Sequence, residues 1–179
     1  ATFIAKLPGL TGPIDDAFVR GFLVVIPTGK SHNPTFQQWQ EAELKHFANR
    51  WRALMRSDLP TKRDIEVTAE DLESSRNLVL WGDPGSNAVL KQIADKLPTT
   101  WTREEITVGD RKFASNKHAL IAIYPNPLNA ERYVVLNSSF TYREYDYLNN
   151  ARQVAKLPDW AVIDISQPRT SRAPGGIAD

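Results

Sequence analysis

The sequence predicts an α/β fold: an open, mostly parallel twisted sheet with helices on both faces, of the flavodoxin or Rossmann kind, plus a small β-hairpin. Three observations predict it. The stretches Phe22-Leu23-Val24-Val25-Ile26 and Asn77-Leu78-Val79-Leu80-Trp81 read as short strands buried on both faces, as parallel strands are. Helical patterns lie between such strands, so strand and helix alternate. No internal repeat or long linker divides the chain. One domain over residues 1–167 is therefore expected, with 1–20 as an extended lead-in and 168–179 as a flexible tail.

The elements follow in order. Pro and Gly punctuate 7–13, and Asp15 to Phe18 has room for one helical turn. The strand Phe22 to Ile26 ends at Pro27-Thr28-Gly29. Asn33-Pro34 predicts a helix start, with Asn33 as N-cap. That helix is expected to run to about Arg56 before Pro60, with an apolar stripe of Leu44, Phe47, Ala48, Trp51, Leu54 and Met55, extended by Phe36 and Trp39. Ile65-Glu66-Val67 reads as a short strand, and Thr68-Ala69-Glu70-Asp71 as a capping box opening a brief helix. After the strand at 77–81, Gly82 to Asn87 leads into a helix with Ser86 as N-cap, burying Val89, Leu90, Ile93, Ala94 and Leu97.

Ile106 to Val108 and Lys112 to Ala114 flank Gly109-Asp110-Arg111 as a hairpin with a three-residue loop. Ala119 to Tyr124 and Arg132 to Leu136 are strands joined too tightly for a helical crossover, so they are antiparallel neighbours or meet through a short loop at a sheet edge. A helix over 142–152 and a strand from Trp160 to Ile165 complete the domain.

Composition narrows function. An apolar fraction of 41% and a charged fraction of 24% are those of a soluble globular chain. With 22 basic and 21 acidic residues the net charge is +1, which argues against a nucleic-acid partner. No apolar run approaches the roughly 18 residues of a membrane span. The chain starts at Ala1 without Met or a basic-plus-apolar leader, so any export signal would have been removed or lie upstream. Zero cysteines exclude disulfides, thiolate metal sites and a Cys nucleophile.

In open α/β sheets ligands sit beyond the carboxyl ends of the strands. Those ends carry Gly29-Lys30-Ser31-His32, Gly82-Asp83-Pro84-Gly85-Ser86-Asn87, Tyr124-Pro125-Asn126-Pro127 and Asn137-Ser138-Ser139. The candidate binding residues are Gly82, Asp83, Gly85, Ser86, Asn87, Asn126, Asn129 and Asn137. Turns require the same residue types, so binding and turn-making compete as explanations.

Specific motifs are weaker. Gly82 to Asn87 joins strand to helix and offers backbone amides to an anion, but it lacks the G-x-G-x-x-G pattern. Gly29-Lys30-Ser31 resembles the end of a phosphate-binding loop, yet position 24, which should be Gly, is Val. The nucleophile elbow G-x-S-x-G fails at Asn33. His32, His46 and His118 have no metal-ligand spacing, so no metal and no cofactor are expected. Ser31 or Ser86 with His118 and Asp164 makes a triad only on paper. Phe140, Tyr142, Tyr145, Tyr147 and Trp160 offer either a stacking platform or core packing.

Several segments, Gly9 to Phe18, Leu80 to Asn87, Tyr124 to Asn129, Tyr133 to Ser138 and Leu157 to Val162, together resemble the C-terminal region of large exported bacterial hydrolases of the prolyl-oligopeptidase and esterase type. The resemblance spans nearly the whole chain but includes no catalytic signature. It implies an upstream, covalently linked α/β-hydrolase domain holding the Ser, Asp and His. It also implies an exported location and a non-catalytic accessory role here, packing on the catalytic domain or shaping access to it. It carries no site residues over. The alternatives are a stand-alone domain binding a small molecule or carbohydrate, and a small esterase with an atypical triad.

Overall fold

The computed structural model describes residues 8–141, 157–170 and 173–179. Strand β1 (Phe22–Ile26) forms as expected, its first four side chains buried. Helix α1 (Pro34–Met55) follows, and the chain returns as β2 (Thr61–Arg63), parallel to β1. A 3-10 turn (Asp64–Glu66) and the short helix α2 (Ala69–Glu73) then carry it across to β3 (Asn77–Leu80), parallel to β1 on its other side.

Helix α3 (Ala88–Ile93) precedes β4 (Thr99–Trp101), β5 (Glu105–Val108) and β6 (Arg111–Ala114), which form a separate antiparallel sheet. Strands β7 (His118–Asn126) and β8 (Asn129–Leu136) make a tight antiparallel hairpin. Strand β9 (Trp160–Asp164) and the two-residue β10 (Gly176–Ile177) close the main sheet, whose order is β10-β9-β7-β8-β3-β1-β2.

This corrects the expected fold class. The chain does not form a mostly parallel, helix-rich Rossmann-like sheet. Of the six pairings in the main sheet, β1 with β2, β1 with β3 and β3 with β8 are parallel. The pairings β7 with β8, β7 with β9 and β9 with β10 are antiparallel. Strand, at 30%, outweighs helix, at 28%, and the expected small hairpin is joined by β4 into a separate three-stranded sheet. The cause lies at Pro127-Leu128. Two residues between β7 and β8 can turn the chain back but cannot cross over.

Two cores flank the main sheet. On one face, α1 and the 3-10 turn Ile14–Phe18 cover Val24, Val79, Ile121 and Val135. Here Phe18, Phe22, Phe47, Trp51 and Phe140 meet edge to face at 5.0–6.4 Å. Such pairs add about 0.5–1.5 kcal/mol each beyond burial. On the other face, α3 and the small sheet cover Leu23, Val25, Leu78 and Leu80, with Ile106 fully buried between the sheets.

Several local expectations change. Asn33 makes no side-chain cap; its amide donates to the Arg103 carbonyl instead. Asn87, not Ser86, caps α3. Thr61–Arg63 forms the strand, while the predicted one at 65–67 begins in the 3-10 turn and leaves Ile65 65% exposed, so pairing there would bury little. The stripe of α1 fades at its end, where Leu54 and Met55 stay 41% exposed. The hairpin turn has two residues, because Val108 pairs with Arg111. The Thr68 to Asp71 capping box forms with both reciprocal hydrogen bonds.

The C-terminal stretch is tied to the domain at several points. Gly176 and Ile177 pair with Asp164 and Ile163, and the Trp39 indole N–H donates to the Pro174 carbonyl at 2.9 Å. Arg169 pairs with Glu43, and Arg111 with Asp179. No helix among the described residues is long and apolar enough to cross a membrane. The helix expected over 142–152, with Tyr142, Tyr145 and Tyr147, lies outside the described residues.

Candidate functional site

β1 and β3 are parallel neighbours whose following helices go to opposite faces of the sheet. Their carboxyl ends therefore form a topological switch point, where such sheets open a crevice. Here the two loops close on each other. The Gly29 N–H donates to the Ser86 carbonyl at 2.9 Å, with no room for a side chain at Gly29.

Asp83 holds the closure. Its Oδ2 accepts the Ser31 hydroxyl at 2.5 Å and the His32 N–H at 3.1 Å. Its Oδ1 accepts the Gly85 and Ser86 N–H groups at 3.0 and 2.9 Å. The residue is 1% exposed, so a buried carboxylate is compensated by donors from both loops. The Ser86 hydroxyl turns back on the Asp83 backbone, accepting its N–H and donating to its carbonyl.

Asn87 joins strand ends to helix. Its Oδ1 accepts the Val89 and Leu90 N–H groups at 3.0 Å, and its Nδ2 donates to the carbonyls of Trp81 at 2.8 Å and Val25 at 3.4 Å. Asn137 does the same beyond β8. Its Oδ1 accepts the Gly82 N–H at 2.8 Å, and its Nδ2 donates to the Gly82 carbonyl at 2.9 Å. Asn137 has φ +49°, a region Asn tolerates better than most residues.

Six predicted residues, Gly82, Asp83, Gly85, Ser86, Asn87 and Asn137, are thus brought together, and their N–H groups and polar side chains are used inside the fold. Asn126 and Asn129 are not part of this group. Antiparallel β7 puts Asn126 beside Asn129 at the start of β8, the opposite end of the sheet. Asn126 accepts the Leu128 N–H, and Asn129 donates to the Ser74 carbonyl.

The amides an anion would use are also taken. At the start of α3, Asp64 accepts the Ala88 N–H at 2.7 Å, while Asn87 accepts the next two. Sequence reasoning missed Asp64, which reaches α3 from 24 residues away. The triad does not assemble either. His118 bonds the Ala114 carbonyl through Nδ1 and stands opposite Asp164 in the β7–β9 ladder. β7 lies two strands from β3, about 10 Å. The Ser166 hydroxyl, donating to Asp164, holds that carboxyl below its ordinary pKa, helped by the Ser166 N–H and by His118. Among the described residues no group of three or more His, Asp or Glu side chains is placed to hold a metal.

The aromatic residues separate as well. Phe140 is 1% exposed and packs under α1. Trp160 stands opposite Ala122 on the other face, 39% exposed. There Leu97, Pro98, Thr99, Ala122, Tyr124, Leu136 and Trp160 line a recess of about 280 Å³ over β7 and β9, beyond the cover given by α3. Periodicity could not reveal it, because the recess depends on where the covering elements stop. No family model, curated protein or solved structure matches the chain.

Proposed function

We propose that this chain is a non-catalytic accessory domain of an exported serine hydrolase of the esterase or prolyl-oligopeptidase type, packing on its catalytic domain or shaping access to it. The observation that carries the reading is the use made of the two candidate nucleophiles. The Ser31 hydroxyl donates to Asp83, and the Ser86 hydroxyl is bonded to the Asp83 backbone, in loops closed against each other. A nucleophilic serine needs a base at that position to accept its proton. A buried carboxylate already saturated by backbone amides serves a structural purpose instead. The resemblance supplies the hydrolase context. Leu54 and Met55, adjacent and half-exposed at the end of α1, are apolar surface that a neighbouring domain would cover.

Two experiments test the proposal. The chain expressed alone is assayed against p-nitrophenyl esters and proline-containing peptide substrates. No turnover above buffer is expected, and hydrolysis abolished by Ser31→Ala or Ser86→Ala would overturn the reading. The gene upstream of the Ala1 codon is also read. A continuous frame encoding a hydrolase domain with its own Ser, Asp and His is expected, and an unrelated upstream sequence defeats the proposed linkage.

A further inference from the structure

We propose that the recess over β7 and β9 binds a small, neutral, flat aromatic molecule bearing a hydroxyl or carbonyl group. The inference goes beyond the accessory role and does not depend on it. The recess measures about 280 Å³ and is lined mainly by apolar groups, among them Leu97, Pro98 and Leu136 and the aromatic residues Tyr124 and Trp160. An apolar cavity of about 150 Å³ accommodates benzene, so one substituted ring fits here.

Three of the lining residues, Thr99, Tyr124 and Trp160, carry polar groups. The hydroxyls of Thr99 and Tyr124 and the indole N–H of Trp160 have no hydrogen-bond partner among the described residues. Apolar walls with a few polar groups are the composition of a small-molecule site. A hydroxyl or carbonyl on the ligand gives such groups a hydrogen-bond partner, while the aromatic rings offer stacking. The same composition excludes another class. A sugar would bury several hydroxyls against Leu97, Pro98 and Leu136 without partners.

The test is titration of the intact chain with p-cresol, benzyl alcohol and methyl β-glucoside, followed by NMR. The two aromatic alcohols are expected to bind with Kd of about 1 mM or tighter, shifting the signals of Thr99, Tyr124 and Trp160, and the glucoside to leave them unmoved. Ala122→Leu fills the recess and is expected to abolish binding. Trp160→Ala, at a partly exposed position that should leave the fold intact, is expected to weaken it about five- to tenfold. The proposal is overturned by absence of binding at about 10 mM aromatic alcohol. It is equally overturned by an affinity that Trp160→Ala leaves unchanged, or by a preference for the glucoside.

Discussion

The Ser31 hydroxyl donates a 2.5 Å hydrogen bond to Asp83, joining the loop after β1 to the loop after β3 across 52 residues of sequence. With the His32, Gly85 and Ser86 N–H groups on the same carboxylate, the bond closes the crevice at the switch point. Removing either partner therefore acts on stability. Ser31→Ala loses one charge-assisted bond and should cost about 1.5–3 kcal/mol. Asp83→Ala leaves the half-buried His32 and Gly85 N–H groups and the Ser31 hydroxyl without their acceptor, while the Ser86 N–H keeps the Asp83 carbonyl, and should cost about 3 kcal/mol or more. Urea unfolding of both variants measures the difference; equal stability to wild type would contradict the assigned role.

Asn87→Asp separates two functions of one side chain. An aspartate keeps the oxygen that caps Val89 and Leu90 but turns its second oxygen toward the carbonyls of Trp81 and Val25. A destabilisation of about 1–3 kcal/mol is expected despite the preserved cap. A helix cap alone would predict no loss, and thermal unfolding distinguishes the two.

Gly82→Ala is expected to be among the most damaging single changes in these loops. Gly82 has φ +109°, and a Cβ there would stand 2.5 Å from the Ser86 hydroxyl oxygen and 3.2 Å from Pro27. Backbone strain and the clash both act on the closed loop, at a cost of about 2–4 kcal/mol. Circular dichroism melting provides the check.

Asp71 gives stability a defined dependence on pH. Lys62, donating at 2.6 Å, is the main cause of its strongly lowered pKa, followed by the Thr68 N–H. Arg76 donates to the other carboxyl oxygen at 2.8 Å. A pKa lowered by folding means that the contribution is complete above the unfolded value of about 3.9 and is lost as pH falls below it. The stability gap between wild type and Asp71→Asn should therefore be constant from pH 7 to about pH 5 and shrink toward pH 2. A gap that widens on acidification would show the sign to be wrong.

Truncation after Gln167 tests the ties made by the C-terminal stretch. It removes the β9–β10 ladder, the Trp39 to Pro174 bond and the ion pairs of Arg169 with Glu43 and of Arg111 with Asp179, and uncovers Ile163 beside Gly175. A loss of about 2 kcal/mol or more is expected in urea unfolding. An unchanged midpoint would mean that these contacts contribute nothing.

Patterns with a short range were legible in the chain. Apolar runs located β1, β3 and β9, and the Thr68 to Asp71 spacing identified a capping box, because adjacent residues decide both. The assembly of Gly82, Asp83, Ser86, Asn87 and Asn137 at one sheet end also followed from β1, β3 and β8 being parallel. Their use was not legible. An Asp or Asn after a strand reads the same whether it faces a ligand or staples a neighbouring loop, and only the partner, Ser31 or Val25 or Gly82, decides between them.

The sequence by itself determined the main strands, the long helix and the absence of thiol chemistry, since periodicity and composition are properties of the chain. The tertiary structure decided the direction of β7, and with it the separation of Asn126 and Asn129 from the loops at the other end of the sheet. It also decided that a second sheet covers part of one face and leaves Tyr124 and Trp160 beside an open recess. Both depend on pairing and packing between residues far apart in the chain, which local pattern does not encode.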